Sequence, residues 1–205
     1  MCDVIKNTLN KDEHPYESFI NSETRILIVG TIPPHRFCQS NKALGSNDVD
    51  WFYGSQQNKF WEIILSVFDK QVDEFQNISS RKQFAQDSHI GFIDLFHEVY
   101  RYRESASDSD IIPISFKNIF EYIERNNKIE CVLFTSGYVE TLAKRLLKEQ
   151  KTVRVTKKGS GDFAAFILSN GRKVKWGKLK SPSPRQGTTI EKKKREWKEV
   201  FRGLD

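Results

Sequence analysis

Residues 25–30, Arg-Ile-Leu-Ile-Val-Gly, form a short, nearly unbroken apolar run ending in glycine, the pattern of a parallel strand buried on both faces. Thr31-Ile32-Pro33-Pro34 breaks the run into a loop. From Asn58 the period changes, with Phe60, Trp61, Ile64, Leu65 and Phe68 recurring at helical spacing. A second apolar run, Ile90 to Phe96, carries one acid, Asp94, in its latter half and passes into a polar stretch from Arg101 to Asp110. Phe116, Ile119, Phe120 and Ile123 mark a further helix. A third strand, Ile129 to Phe134, ends at Thr135-Ser136-Gly137 and feeds a helix whose apolar face is Val139, Leu142, Ala143, Leu146 and Leu147. Phe163 to Leu168 and Lys173 to Leu179 are joined through Asn170-Gly171, a hairpin signal because both turn positions tolerate positive φ. Ser181-Pro182-Ser183-Pro184 cannot continue a ladder, since proline lacks an N–H donor, and is expected to be a loop. Thr188 and Glu191 have capping-box spacing and are expected to open a last, basic helix containing Trp197, Val200 and Phe201.

Alternating strands and helices predict the α/β class, as a three-layer α/β/α sandwich with a central, mainly parallel sheet. With no repeat and no Gly/Ser-rich linker, residues 1–205 are expected to form a single domain. In such sheets ligands bind beyond the carboxyl ends of the strands. The loops after Gly30, Asp94 and Phe134 are therefore expected to gather at one edge, where the proline-rich loop after Leu179 can join them.

Composition narrows the function. No apolar run approaches the roughly 20 residues needed to span a bilayer, and Met1 to Lys11 lacks the zones of a signal peptide, so no membrane partner and a cytoplasmic location are expected. The 3 cysteines stand far apart with no C-x-x-C pair, and the 4 histidines show no ligand spacing, which predicts no disulfide framework and no metal. Charge is uneven: residues 1–150 carry 17 basic and 22 acidic side chains, residues 151–205 carry 16 and 5, a net of +11 in the last quarter. A patch of that sign favours a polyanion through counterion release, although a lysine-rich solvated surface has the same composition.

Gly30-Thr31-Ile32-Pro33-Pro34-His35, the segment Phe52-Tyr53-Gly54-Ser55-Gln56-Gln57-Asn58-Lys59-Phe60-Trp61, and Ser181-Pro182-Ser183-Pro184 resemble, in order and spacing, motifs of the uracil-DNA glycosylase superfamily. The likeness is nearest to the hypoxanthine-DNA glycosylase and mismatch-specific branches. The polar stretch Ser105-Ala106-Ser107-Asp108-Ser109-Asp110-Ile111 is also similar to the hypoxanthine branch, so the resemblance runs from about Ile26 to Phe201. It implies a monofunctional glycosylase that hydrolyses the bond between deoxyribose and a deaminated base, hypoxanthine or uracil, in base excision repair. DNA is then the partner, no cofactor is required, and a monomer is expected.

Such chemistry must hold an extruded base, stabilise its departing charge and place a water at the sugar carbon. Tyr53 aligns with the aromatic that stacks on the flipped base, or is core; Phe60 and Trp61, repeating with Ile64 and Leu65, are assigned to the core. Asn58 either caps its helix, serves the site, or does both, because an amide donates and accepts. Asp94 reads the base edge, assists water activation, or caps the following loop; an acid in an apolar run needs a partner or a task. These two are the candidate catalytic residues. Gly30, Thr31, Ile32 and Pro33 of the first motif are the remaining candidates for the substrate pocket, with Ser181 and Ser183 of the last, which grip phosphates in the resembling proteins. Pro182, Pro184 and Arg185 are candidate DNA contacts. Arg185 stands where the family often carries an intercalating leucine. Ile32 departs from the many relatives with Asp or Asn there, and isoleucine cannot activate water. No lysine stands in a recognised Schiff-base context. Two rivals remain: a nucleic-acid-binding module that keeps the fold without catalysis, and a hydrolase of free nucleosides.

Overall fold

The Ile26–Gly30 run is a strand, β2, and its alternation divides the core. The computed structural model describes residues 9–102, 104, 107–149, 154–156, 163–184 and 187–204. Leu27 and Val29 join one apolar cluster and Ile28 the other, each side chain fully buried. Beside β2 lie β3 (Ile90–Asp94) and β6 (Cys131–Phe134), both parallel to it, and β9 (Lys173–Lys178) runs parallel to β6. The order is completed by β8 (Ala164–Ile167) and β7 (Arg154–Thr156), both paired antiparallel. The sheet is thus mixed, parallel across β3-β2-β6-β9 and antiparallel across β9-β8-β7. The physical reason is the predicted hairpin: a short turn joins only antiparallel strands. Gly171 supplies φ 81°, and Asn170 Oδ1 accepts the Arg172 N–H at 2.9 Å.

Helices bury their apolar stripes against both faces. On one side are α4 (Ile119–Arg125) and α5 (Gly137–Glu149), the preceding helices α1 to α3 being His35–Cys38, Phe60–Val67 and Ile78–Asp87. On the other side α2, α3 and α6 (Ile190–Arg202) pack through Phe60, Trp61, Phe84, Trp197 and Phe201. The N-cap of α6 is Thr189, whose side chain accepts from Lys192 N–H, and not the expected Thr188. Among the described residues no helix is long and apolar enough to cross a membrane.

A second sheet was not anticipated. Its strands β1 (Leu9–Glu13), β4 (Phe96–Tyr102) and β5 (Ile111–Phe116) run antiparallel in the order β1-β4-β5. Of the described residues in the polar stretch from Arg101 to Asp110, only the first two lie in a strand, β4, and Asp108–Asp110 forms a 3-10 turn, while Phe116 belongs to β5 and not to the following helix. Only Leu95 separates β3 from β4. Its N–H donates to Gly30 O at 2.9 Å and the next, Phe96 N–H, donates to Thr31 O at 3.1 Å, so the first loop is stitched to the strand crossing between sheets.

Candidate functional site

Beyond the carboxyl ends of β2, β3 and β6 lies a cavity of about 460 Å³, within the ~300–1,000 Å³ typical of ligand clefts. Its lining includes Thr31, Ile32, Pro33, Tyr53, Asn58, Asp94 and the whole Ser181 to Pro184 loop. Gly30 lies under it, against Asp94 and Tyr53. Arg185 falls outside the described residues, as do Ser105 and Ala106. Phe52, Phe60 and Trp61 are buried core.

Asp94 ends β3 and is 5% exposed. Its Oδ2 meets His14 Nε2 at 2.9 Å. On the far side of that ring, Nδ1 lies 2.9 Å from Tyr16 O, 3.1 Å from Tyr16 N and 3.4 Å from the Lys117 ammonium. A carboxylate only accepts, so at the other nitrogen His14 donates its Nε2–H to Asp94. Lys117 itself is lowered below the ordinary lysine value, burial outweighing the attraction of Asp94 and Glu17.

The other carboxylate oxygen, Oδ1, is buried without a hydrogen-bond partner, and the Tyr53 hydroxyl, buried likewise, closes no hydrogen bond of good geometry although the Thr135 side chain lies beside it. Both crowd the space where Gly30 has no side chain. Burial first, then the Asp94 charge, holds the Tyr53 phenol well above its ordinary value, so it is a donor at any working pH. The Tyr53 ring lies 4.0 Å from Phe60, nearly parallel. A tight turn fixes it there: Gly54 N–H donates to Trp51 O at 2.9 Å, and Val49 N–H to Gly54 O at 2.8 Å. The turn holds Tyr53 at φ 54°, a conformation that disfavours a bulky side chain by about 1–2 kcal/mol.

The opposite wall rests on a buried ion pair. Asp12, inaccessible to solvent, accepts from Arg101 Nε at 2.7 Å and contacts His35 Nδ1 at 2.6 Å. Arg101 also donates to Pro33 O at 3.0 Å, tying the first-motif loop to β4. Thr31 Oγ1 donates to Asp108 Oδ1 at 3.2 Å, which brings a second carboxylate into the cavity wall. Asp108 is raised above the usual carboxylate value: burial, with Asp94 adding, outweighs the Thr31 hydrogen bond and Arg101. At the rim Arg36 forks onto Asp48 (2.8 and 3.0 Å) and reaches Ser55 Oγ at 2.8 Å. Burial acts to raise Asp48, but Arg36 and two backbone N–H groups hold it below the ordinary range.

Asn58 is not the N-cap of α2; Lys59 is. Its Oδ1 nevertheless accepts Phe60 N–H at 2.9 Å, so the amide orientation is set and Nδ2 is left to donate. The proline loop is braced from behind: Lys193, 2% exposed, donates to Ser183 O at 2.6 Å, and Trp197 Nε1 to Lys180 O at 2.8 Å. Lys59 N–H donates to Pro182 O at 3.2 Å, joining this loop to the Asn58 segment. Sequence reasoning missed His14, Arg101 and Asp108. The pairs they form span 80, 89 and 77 positions, and no local pattern signals such partners.

No protein-family model matches the chain, and no curated protein sequence matches it. Among solved structures it is similar to a solution NMR structure from Methanosarcina acetivorans described as a "putative Uracil DNA glycosylase". The TM-score is 0.62 and the identity 18%, over 94% of this chain and 98% of that one. At that identity the likeness establishes a shared mixed α/β fold.

Proposed function

We propose that the chain is a monofunctional DNA glycosylase of the uracil-DNA glycosylase superfamily, nearest its hypoxanthine and mismatch-specific branches. It hydrolyses the bond between deoxyribose and hypoxanthine or uracil, as a single-domain monomer in the cytoplasm, without metal or cofactor. The observation that carries this reading is the pairing at the cavity floor. A desolvated phenolic donor and a desolvated carboxylate oxygen, neither in a well-formed protein hydrogen bond, meet at Gly30. A flat, polar-edged heterocycle presents the complementary acceptor and donor, and buried polar groups left unmatched are costly unless a ligand completes them.

The rest of the lining fits a nucleotide. Tyr53 offers its ring to a base, Asn58 Nδ2 a donor for the sugar or its phosphates, and the Ser181 to Pro184 loop backbone and hydroxyl contacts for the strand. The +11 charge of residues 151–205 supplies attraction for the duplex. Among the described residues no lysine lines the cavity, which favours direct hydrolysis over a covalent imine. Ile32 supports the rival reading of a binding module, because it lines the cavity with an aliphatic group that moves no proton.

The experiment is release of the base from duplexes carrying a single hypoxanthine or uracil, scored by cleavage at the abasic site. Release that disappears with Asn58→Ala supports the enzyme. Salt-sensitive duplex binding with no release makes the chain a binding module. Activity on free deoxynucleosides with little duplex binding makes it a nucleoside hydrolase.

A further inference from the structure

Two carboxylates line the cavity, and their surroundings divide the labour between them. Asp94 is the more enclosed of the two: one oxygen accepts from His14 and the other is buried beneath Gly30 beside the Tyr53 hydroxyl. Asp108 is only half-buried, stands in the wall, and has one oxygen accepting the Thr31 hydroxyl. A water that arrives with substrate therefore has readier access to Asp108 than to Asp94. Asn58 is a poor alternative, since its carbonyl oxygen is engaged by Phe60 N–H. We propose that Asp108 holds the attacking water and takes its proton, while Asp94 is reserved for the extruded base. This rests on the glycosylase reading and assigns its water.

The placement follows from the fold. Thr31 comes directly after the last residue of β2, and its hydrogen bond delivers the Asp108 carboxylate to the strand end whose next residue, Ile32, has no polar atom in its side chain. The charged and titratable groups acting on Asp108 among the described residues are Arg101 and Asp94, and Tyr138 senses its charge in turn. Burial and Asp94 make it a stronger base than an ordinary carboxylate, which suits proton abstraction near neutrality. In the step itself the C1′–N bond breaks with its electron pair leaving on the base. The water oxygen forms the C1′–O bond, its proton passes to Asp108, and that proton then neutralises the departing base.

The test is single-turnover base release from a hypoxanthine- or uracil-containing duplex as a function of pH. Asp108→Asn should slow release by about 10²–10⁴-fold and abolish the acidic limb of the profile, with duplex affinity and melting temperature not reduced. Asp108→Ala should regain rate when formate is supplied, a response that a merely structural role does not produce. Asp110→Asn, outside the cavity lining, should match wild type. An Asp108→Asn protein that keeps the wild-type rate and acidic limb overturns the assignment while leaving the glycosylase reading intact. Absence of release by the wild-type protein overturns both.

Discussion

Gly30→Ala tests whether the cavity floor is as tightly set as its contacts imply. The added Cβ would stand 2.5 Å from the Tyr53 hydroxyl and closer still to Asp94 Oδ1, roughly 1 Å inside normal contact. Neither neighbour retreats cheaply. Asp94 is held by His14 at 2.9 Å, and the Tyr53 ring is backed by Phe60 at 4.0 Å. Overpacking of this kind costs about 1–3 kcal/mol, and losing the buried His14 bond adds about 1–3 kcal/mol, for a total of about 2–6 kcal/mol. In a chain of this size that is a fall in Tm of roughly 4–24 °C. Gly187→Ala is the control, since a Cβ there meets nothing within 4 Å. Thermal melts of both variants, with base release measured on whatever remains folded, decide the matter. A Gly30→Ala protein that melts with wild type refutes the idea that the two polar atoms are locked around that glycine.

Three further outcomes are expected. His14→Phe leaves the Asp94 carboxylate buried without its donor and should cost about 3–5 kcal/mol in urea unfolding, whereas His14→Gln, whose amide reaches the same point, should recover most of it. Tyr53→Phe removes an unpaired buried hydroxyl and should raise stability by about 1 kcal/mol while slowing base release, a trade read by melting and single-turnover rates on the same preparation. Asp108→Asn should stabilise the fold at neutral pH. Its carboxyl is raised by burial, so the stability associated with the protonated form is present at low pH and lost as pH rises through the folded value. Asparagine does not titrate, and the advantage over wild type should shrink toward zero as pH falls below the carboxylate range.

The central sheet was readable because its strands follow simple rules. β2, β3 and β6 are continuous apolar runs, and Asn170-Gly171 marks its turn by backbone chemistry alone. The second sheet inverts those rules. Its inward positions include Asp12 and Arg101, while Tyr100, Tyr102, Ile112 and Ile114 face outward, between 40% and 50% exposed. An alternation in which a charged pair is core and large apolar groups are surface gives no usable period, because buried charge is rare unless paired and the pair here lies 89 positions apart. The same limit applies to the candidate site. Asp94 was conspicuous as an acid in an apolar run, but nothing near His14 in the chain announces that it will meet that acid. Asp108 sat in a stretch already noted for its polarity, yet its approach to Thr31 depends on the β4–β5 connection, which only the second sheet creates.

Where the chain departs from local preference also bears on function. Three residues other than glycine adopt positive φ among the described residues: Tyr53, Asp69 and His89. Asp69 and His89 lie just past the ends of α2 and α3, where a left-handed residue closes a helix and brings its own hydrogen bonds. Tyr53 ends no helix. It is a bulky aromatic in an unfavourable backbone conformation, with a buried hydroxyl that finds no partner, beside a carboxylate oxygen in the same condition. Phenylalanine in that place would keep the contact with Phe60 and avoid the orphaned donor. The arrangement becomes economical only if something else completes it. Donor and acceptor are desolvated and oriented during folding, so a ligand that reaches them finds their orientation already set. Other buried polar atoms, such as Trp176 Nε1, also lack partners, but here backbone strain and unmatched polarity coincide, and the coincidence argues for a bound heterocycle more strongly than the size of the cavity does.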